Sequence, residues 1–558
     1  MKEIIADLLA KSTGMKKEEL TSLIEIPPSP ELGDYAFPCF LLAKKYKKNS
    51  NQIAQELAGK IKLSKEISQV KATGSYLNFF INKNILAEKT IKEILKEKEN
   101  FARGREKEKI MVEFSQANTH KAFHVGHIRG TSIGESLARI LEFLGNKVIR
   151  ANYQGDTGMH VAKWLWCYKK YHSKEKIRAD ESWIAEIYVD AVKKLAENEK
   201  LQEEVDEVNR KLEEGKDRQL VCLWKKTRKI SLDALEVIYK ELNTHFDKYY
   251  FESQVEKRGK EISEELAKKG IAKISDGATI IDLENYGLSV WVLLRKDGTV
   301  LYSGKDLALV EKKFKENKLD RCLYIVADEQ NLHLKQLFKT LELMKFKEGE
   351  KCSHISYGLV RLPTGKMSSR TGDNILYSSF KKEVVDYAKS EIKKRYSKLP
   401  GKEIDKRALA ISIAAIKYTM LKQNPNKVII FTKEDALNFE GDSGPYLQYS
   451  YARASSILKK AKKKTGKIEI PELKEQELAL IKKLSQFPEI VKSAEKQLAP
   501  HIIANYSFEL SQSFNEFYHS CQVIGSKEEN FRLKLVQAFR IIIKQALFLL
   551  GIEVMEEM

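Results

Sequence analysis

Two imidazoles placed at the start of a helix are the most specific chemical feature of the chain. The segment reads His124-Val125-Gly126-His127 and lies between a strand-like run, residues 110–114, and a helical apolar pattern. A helix N-terminus presents unpaired N–H groups and a positive dipole end, so imidazoles in its first turn can share phosphate oxygens with it. Gly126 would leave room for a flat ring or a ribose. Two surface histidines by chance are the alternative, and the position after a strand favours a phosphate site.

A basic, hydroxyl-rich segment far downstream has matching chemistry. It reads Lys366-Met367-Ser368-Ser369-Arg370, after Pro363 and Gly365. Such a loop can close over a triphosphate and neutralise its charge while the α-phosphorus is attacked, without a protein nucleophile. Taken by itself, the segment would be an ordinary solvated turn.

The elements around the histidines predict how they are held. The strand at 110–114 is followed by a polar loop, a helix with apolar residues from Ile133 to Leu144, a closing Gly145 and a strand at 147–150. A strand, loop, helix and strand in this order predict a parallel sheet whose ligand lies at the carboxyl ends of its strands.

The rest of the chain predicts a multidomain α/β plus all-α protein. We expect a small α+β module over 1–105 with a strand at 75–81, and a sheet domain over 106–395. A charged, proline-free stretch at about 169–250 predicts a helical insertion, and strand-like runs at 280–283, 290–294 and 323–327 would complete the sheet. Residues 396–558 have helical periodicity and predict a helical bundle.

Composition and charge limit the kinds of binding partner and cellular environment that we expect. Lys and Arg number 98 against 78 Asp and Glu, and the net charge of +20 favours nucleic acid or an anionic membrane surface, although a lysine-rich proteome explains it equally well. The six cysteines include no C-x-x-C pair, which predicts buried thiols in a reducing cytosol instead of disulfides or a zinc site. Eighteen apolar residues never run together, so no membrane span is expected.

The two signatures together resemble the HIGH and KMSKS motifs of class I aminoacyl-tRNA synthetases. Their flanks are similar to the arginyl-tRNA synthetase family over almost the whole chain. The segments that carry this resemblance are 33–36, 113–123, 297–299, 302–308, 330–333, 367–370, 444–449 with Arg453, and 514–518 with 550–558.

The resemblance implies a Rossmann-type catalytic domain with the helical insertion, an N-terminal domain that contacts the tRNA elbow and a C-terminal anticodon-binding bundle. It implies a cytoplasmic, monomeric ligase, not associated with membranes, that uses L-arginine, ATP with its Mg²⁺ and tRNA-Arg. In this family bound tRNA is commonly needed before arginine is activated. The residues that match catalytic positions are His124, His127, Lys121, Lys366 and Arg370, and those that match ATP-binding positions are His124, Gly126, His127, Lys366, Met367, Ser368 and Ser369.

Selection of arginine requires acceptors in the fork geometry of a guanidinium, and Glu113 and Asp306 could supply carboxylates. The alternatives are a first-turn helix residue for Asp306 and a half-buried strand aromatic for Tyr302. The family's amino-acid ligands match Glu113, Asn118, Tyr302, Asp306 and Gln330.

The chain departs from the class pattern at Ser369, where most families keep a catalytic lysine. Arginyl enzymes that lack this lysine typically carry one just ahead of the first signature, and Lys121 fits that position. A second departure, Gln116-Ala117 in place of Ser-Pro, removes a rigid turn before Asn118.

Aromatic and basic side chains predict the contacts with RNA, because single-stranded loops stack on aromatic rings and arginine planes. Core packing is the alternative for each tyrosine. The residues that match tRNA-binding positions of the family are Tyr76, Asn78, Tyr446, Tyr449, Arg453 and Tyr518.

Two other functions share parts of this pattern. A cytidylyltransferase-type enzyme has H-x-G-H on a similar sheet, but it would not require the helical C-terminal third. A non-catalytic RNA-binding paralogue would show decay of the acidic pair or of His124, and all three residues are intact.

Overall fold

The computed structural model describes residues 1–361, 363, 376–396, 398–461 and 469–558. By internal contacts the chain divides into two compact units. The first unit comprises Met1–Phe101, Ile457–Gln486 and Gln512–Ile541, and the second comprises Ala102–Ser456, Phe487–Ser511 and Ile542–Met558. Among the described residues, no helix is long and apolar enough to cross a membrane.

The N-terminal segment is an α+β module, as predicted. Its strands form an antiparallel sheet in the order β1-β3-β2, and the predicted strand at 75–81 is confirmed as β3. The side chains of Leu77, Phe79 and Ile81 alternate onto the buried face, which is why this run pairs as the central strand. The elements are α1 (Lys2–Thr13), α2 (Lys17–Leu23), β1 (Tyr35–Pro38), α3 (Phe40–Tyr46), α4 (Ser50–Lys60), β2 (Ile67–Thr73), β3 (Tyr76–Ile81) and α5 (Lys83–Glu97).

The middle of the chain carries the sheet domain. Its elements are β4 (Lys109–Glu113), α6 (Val125–Phe143), β5 (Lys147–Gln154), α7 (Met159–Cys167), α8 (Glu181–Glu197), α9 (Gln202–Glu214), α10 (Arg218–Glu241), β6 (Lys248–Phe251), α11 (Glu252–Lys268), β7 (Lys273–Ser275), β8 (Ala278–Asp282), β9 (Val290–Leu294), α12 (Tyr302–Asn317), β10 (Arg321–Ala327), α13 (Asn331–Leu343), β11 (Cys352–Tyr357), β12 (Val360–Arg361) and α14 (Tyr377–Arg395).

Five of these strands form the predicted parallel sheet, in the order β11-β10-β4-β5-β6. Strands β5 and β6 lie on one side of β4, and the later strands β10 and β11 lie on the other. The topological switch point therefore lies between β4 and β10. The side chains of Ile110, Met111 and Val112 in β4 are fully buried, as expected for a central strand covered on both faces. Ligands of such sheets bind at the carboxyl ends of the strands beside this switch point.

Two details of the sheet domain differ from the sequence-based expectation. The crossover between β5 and β6 is helical as predicted, but its last residues, 248–250, belong to the edge strand β6. The runs at 280–283 and 290–294 are strands, yet with β7 they form a separate antiparallel sheet and do not complete the parallel one. The short connection between β8 and β9 explains this, because parallel pairing would need a long crossover. The run at 323–327 is confirmed in β10.

The C-terminal third is helical, as predicted, apart from a two-residue strand. Within the first unit, Phe514 and Phe539 stack with ring centroids 3.8 Å apart. Within the second unit, the buried face of α15 joins the core that also holds Phe123 and Tyr377. The elements are α15 (Gly401–Leu421), β13 (Ile429–Ile430), α16 (Lys433–Ala436), α17 (Gly444–Lys460), α18 (Glu475–Lys496), α19 (His501–Ser520) and α20 (Glu529–Leu549).

Candidate active site

The loop that joins β4 to α6 is strained and is held in place by the helical insertion. Ser115 and His120 have φ values of 76° and 59°, which residues other than glycine rarely adopt. The Ser115 hydroxyl donates to the Tyr239 hydroxyl of α10 at 3.3 Å, and the backbone N–H of His120 donates to the Ser231 hydroxyl at 3.0 Å. Unfavourable backbone conformations of this kind persist where contacts with the surrounding residues hold them, and they are frequent at functional sites.

The two histidines of the first signature form one compact pair. The backbone N–H of His124, which precedes α6, donates to Nδ1 of His127 at 3.2 Å, and the ring centroids are 3.8 Å apart. Burial, helped by the Lys121 charge, lowers the pKa of His124 to about 4, and burial next to His124 lowers the pKa of His127 well below its ordinary value. Both rings are therefore neutral at pH 7. Since Nδ1 of His127 accepts, its Nε2 carries the proton and can donate to a ligand.

Gly126 also lies close to the ring of His124. A Cβ at this position would lie 3.0 Å from the ring of His124, so the absence of a side chain sets the position of that imidazole. The Nδ1 atom of His124 is buried and has no hydrogen-bond partner within the described ranges. A buried polar atom without a partner is costly, and a bound ligand would satisfy it.

Two lysines and a third histidine lie near the histidine pair. The Lys121 ammonium lies 5.6 Å from the ring centroid of Tyr188 in α8, and its pKa is lowered by burial and by the nearby Lys163 charge. Burial next to Lys121 also lowers the pKa of His160 to about 3, and the Nε2 atom of this ring lies 3.2 Å from the Gly155 carbonyl oxygen. The adjacent Lys121 and Lys163 ammonium groups favour a polyanionic ligand. Sequence reasoning missed His160 and Lys163. Their spacing of three residues near the start of α7 places both on one helix face, and this was the available signal.

The second signature lies outside the described residues, so Lys366, Met367, Ser368, Ser369 and Arg370 have no described geometry. The chain on either side of it contacts other elements of the same unit. Val360 and Arg361 pair in parallel with β13, and Leu376 forms an antiparallel bridge with His124. The backbone N–H of Tyr377 also donates to the Phe123 carbonyl at 2.9 Å. The chain that follows the second signature is thus attached to the first.

An acidic pocket surrounds the end of β5. The Tyr153 hydroxyl is buried and has no hydrogen-bond partner in the described part of the chain. Burial and surrounding negative charge raise its pKa well above the ordinary value. The carboxylates that contribute this charge are Asp306, Glu252, Glu113 and Asp156. A cationic ligand would relieve their mutual repulsion.

Asp306 is the carboxylate of this pocket that pairs with a histidine. Its Oδ2 accepts from Nε2 of His333 at 2.6 Å, and the Trp291 indole N–H donates to Nδ1 of the same ring at 3.3 Å. The Tyr302 ring packs 4.8 Å from His333 and is 58% exposed, so it is not the half-buried strand aromatic considered above. Tyr302, Asp306 and His333 therefore form one group, with the exposed Gln330 at the start of α13.

The other carboxylates already have partners. Glu113 forms an ion pair of 2.5 Å with Lys313, and both side chains are almost fully buried. Glu252 binds Lys305 at 3.0 Å, and Asp156 binds Arg228 at 2.6 Å. Glu113 thus already faces a fixed cation in this structure, and its role as a guanidinium ligand stays a prediction.

Asn118 connects the basic and acidic ends of the site. Its Oδ1 accepts the Gly155 backbone N–H at 3.0 Å, and a Cβ at Gly155 would lie 2.9 Å from that oxygen and 3.1 Å from Oε1 of Glu252. The loop with Gln116-Ala117 therefore still holds Asn118 at the carboxyl edge of the sheet without a proline.

The predicted RNA-contacting residues differ in accessibility. Tyr76 and Tyr518 are 37% and 39% exposed, whereas Asn78 is 3% exposed and lies in the core of the N-terminal sheet. On α17, the Arg453 guanidinium lies over the Tyr449 ring at 4.6 Å and donates to its hydroxyl at 3.0 Å. Tyr446 is half-buried against Phe508. Tyr449 and Arg453 thus form a joint stacking surface, and the Asn78 side chain has almost no exposed surface.

A parallel sheet of this strand order, with a His-x-Gly-His helix start at its carboxyl edge and a helical C-terminal region, is the arrangement of class I aminoacyl-tRNA synthetases. Three family models match: the catalytic domain of "tRNA synthetases class I (R)" over residues 90–432, the "DALR anticodon binding domain" over 447–558 and the "Arginyl tRNA synthetase N terminal domain" over 1–81. The chain belongs to the arginyl-tRNA synthetase family.

Individual relatives agree with this assignment. The arginine–tRNA ligases of Clostridium acetobutylicum and Clostridium perfringens are 37% and 36% identical to the chain, with 100% of each chain covered. The arginyl-tRNA synthetase structure of Thermus thermophilus superimposes with a TM-score of 0.83 at 26% identity, covering 100% of both chains. The Plasmodium falciparum arginyl-tRNA synthetase, at 22% identity and a TM-score of 0.81 over 100% of this chain and 98% of its own, shares the fold.

Proposed function

We propose that the chain is an arginine–tRNA ligase that makes arginyl-adenylate from L-arginine and ATP and transfers arginine to the 3′-terminal adenosine of tRNA-Arg. The observation that carries the proposal is the pairing, at one sheet edge, of a cationic end with an acidic end. Lys121, His124 and His127 offer charge and donors to a polyphosphate, and the carboxylates around Tyr153 offer acceptors to a cationic amino acid.

Arginine enters the acidic end in this proposal. Asp306 accepts the guanidinium in a bidentate pair, and the Tyr302 ring packs against the ligand. Asn118 and Gln330 bind the α-amino and carboxylate groups. Glu113 is paired with Lys313 and becomes a direct ligand when that pair opens.

ATP, carried with its Mg²⁺ as the substrate complex, lies at the cationic end. An oxygen of the arginine carboxylate attacks the α-phosphorus, a new O–P bond forms, and the bond to the β-phosphate oxygen breaks to release pyrophosphate. His127 donates from Nε2 to a phosphate oxygen. Lys121 neutralises phosphate charge in place of the lysine that most families of the class have at the position of Ser369. Lys366, Arg370 and the neighbouring residues of the second signature complete the ATP site.

Transfer follows when a ribose hydroxyl of the terminal adenosine attacks the arginyl carbonyl carbon and AMP leaves. The stacking pair Tyr449 and Arg453 supports contact of α17 with the anticodon side, and Tyr76 supports contact of the N-terminal module with the tRNA elbow. We propose division into domains at 1–105, 106–395 and 396–558, a cytoplasmic location and a monomeric state.

The direct test is aminoacylation of total tRNA with radiolabelled arginine. The chain should charge tRNA with arginine in an ATP-dependent reaction and should leave lysine and citrulline uncharged. Acid-stable labelling of tRNA by another amino acid, or no labelling by a folded protein, would rule out the assignment.

A further inference from the structure

A thiol, an imidazole and a carboxylate meet in the helical insertion, in a cluster that the proposed ligase chemistry does not use. The ligand atoms of Cys167, His172 and Asp190 all lie within 4.8 Å of one another. Cys167 is fully buried, whereas the side chains of His172 and Asp190 are 21% and 32% exposed. The cluster is thus closed on one side and open to solvent on the other, which gives an ion a route of entry.

The backbone has a specific device that brings the first two residues together. Cys167 ends α7, and residues Tyr168–His172 continue it as one π-helical turn. In an α-helix positions i and i+5 diverge, whereas a π-turn pairs i with i+5 and aligns them on one face. Single π-turns within helices are frequent at functional sites. Asp190 comes from the neighbouring helix α8.

The two distances from the Asp190 carboxylate are close to those between ligands of one metal ion. Oδ2 of Asp190 lies 3.4 Å from Sγ of Cys167 and 3.0 Å from Nε2 of His172. Tetrahedral zinc bonds of ordinary length place neighbouring ligand atoms about 3.3–3.6 Å apart. Oδ1 of the same carboxylate lies 3.6 Å from the Lys194 ammonium, which leaves Oδ2 directed at the other two groups.

The surroundings orient the imidazole as a ligand. Nδ1 of His172 lies 2.6 Å from Oε1 of Glu175, and the other Glu175 oxygen accepts the Trp183 indole N–H at 2.7 Å. A carboxylate that binds the far nitrogen of a histidine is the usual outer partner at zinc sites, since it fixes the ring and leaves Nε2 as the ligand atom.

We propose that Cys167, His172 and Asp190 bind one Zn²⁺ ion, with water as the fourth ligand. Thiolate and imidazole together select zinc over Mg²⁺ and Ca²⁺. On binding, the S–Zn bond forms as the Cys167 thiol proton passes to solvent. The ion joins α7, whose first turn carries His160 and Lys163, to α8, whose Tyr188 lies beside Lys121.

The test uses the full-length protein after treatment with a chelator. Zn²⁺ bound per chain is measured after dialysis, and Co²⁺ is titrated as a spectroscopic probe because a thiolate–Co²⁺ bond gives a near-ultraviolet charge-transfer band. The variants are Cys167→Ser, His172→Gln, Asp190→Asn and the outer-partner variant Glu175→Gln. Matched controls are Cys222→Ser and His245→Gln, which alter exposed side chains of the same unit.

We expect one Zn²⁺ per chain, a charge-transfer band that Cys167→Ser abolishes, and affinity lowered at least about tenfold by each ligand variant and by Glu175→Gln. Zn²⁺ should also raise the unfolding temperature of the wild type and of both controls. Absence of stoichiometric binding, or binding that all four variants retain, would show that the cluster is a hydrogen-bonded triad. Far-ultraviolet circular dichroism identifies any variant that fails to fold, and Asp190→Asn and Glu175→Gln, which preserve side-chain shape, then decide the result.

Discussion

At the scale of single residues, the site depends on which charges are already paired. Asp306 faces a histidine, whereas Glu113, Glu252 and Asp156 each face a lysine or arginine. The binding free energy of a guanidinium is most favourable at a carboxylate for which no fixed cation competes. Asp306 should therefore dominate the selection of arginine.

Replacing Asp306 by Asn should lower kcat/KM for arginine in pyrophosphate exchange by about thirtyfold or more, because a truncated charge pair costs about 2–5 kcal/mol. The loss should appear mainly in KM for arginine, with KM for ATP unchanged. Asp282→Asn, at an exposed carboxylate paired with Lys273, is the matched control. Equal effects of the two substitutions would contradict the assignment of Asp306.

Lys121 should act on the phosphates. Lys121→Met is expected to lower kcat by about 10²–10³-fold, the usual cost of one transition-state donor, while KM for arginine stays within about twofold. Lys226→Met, at an exposed lysine of α10, is the control. If Lys121→Met changed KM for arginine and left kcat intact, the proposed compensation for Ser369 would be wrong.

Sequence reasoning identified the histidine pair and Asp306 because their motifs are local. It could not show that Glu113 is paired with Lys313, since these residues lie 200 positions apart and meet only through the packing of α12 on the sheet. The burial of Asn78 was equally invisible, because an asparagine in a strand is usually exposed.

At the scale of elements, the site depends on how α6 packs against the end of β4. A Cβ on Gly134 of α6 would lie 2.2 Å from Cγ of the fully buried Phe114. The helix can approach the strand this closely because residue 134 has no side chain, and this approach sets the position of the His124–His127 turn.

Gly134→Ala should therefore destabilise the protein by about 1–3 kcal/mol through overpacking and lower the unfolding temperature. Gly401→Ala is the control, because a Cβ there has no neighbour within 4 Å, and it should stay within about 0.5 kcal/mol of wild type. Thermal unfolding followed by circular dichroism measures both. A Gly134→Ala protein as stable as the control would mean that the contact between α6 and β4 is looser than described.

Element type and order could be predicted from periodicity more readily than the assignment of strands to sheets. The strands β4, β5, β8, β9 and β10 all overlap predicted runs. The placement of β8 and β9 in a second sheet depends on their short connection, and β6 was missed because its four residues follow a long charged helix. The π-turn at Tyr168–His172 has no periodic signal at all.

At the scale of the whole molecule, stability should depend on several histidines that are buried without charge. Burial lowers the pKa of His120 and His160 to about 3 and that of His124 to about 4. Between pH 6.5 and 4 the unfolded chain binds protons that the folded chain does not, so stability falls as the pH falls through this window.

One such histidine costs about 2 kcal/mol at pH 5 relative to pH 7. His120→Asn, which tolerates the positive φ, should reduce the decrease in unfolding temperature between pH 7 and pH 5. His245→Gln, at a histidine with a side chain 63% exposed, should leave that decrease unchanged. An identical pH dependence in the two variants would show that His120 is not the group responsible.

The central claim is that one sheet edge activates arginine with ATP, and arginine-dependent exchange of pyrophosphate into ATP tests it most directly. The assay is run with and without total tRNA, and lysine or citrulline replaces arginine in control reactions. The account predicts exchange with arginine in the presence of tRNA and none with lysine or citrulline. Absence of exchange from a folded protein under every condition would contradict it and would favour a non-catalytic RNA-binding paralogue.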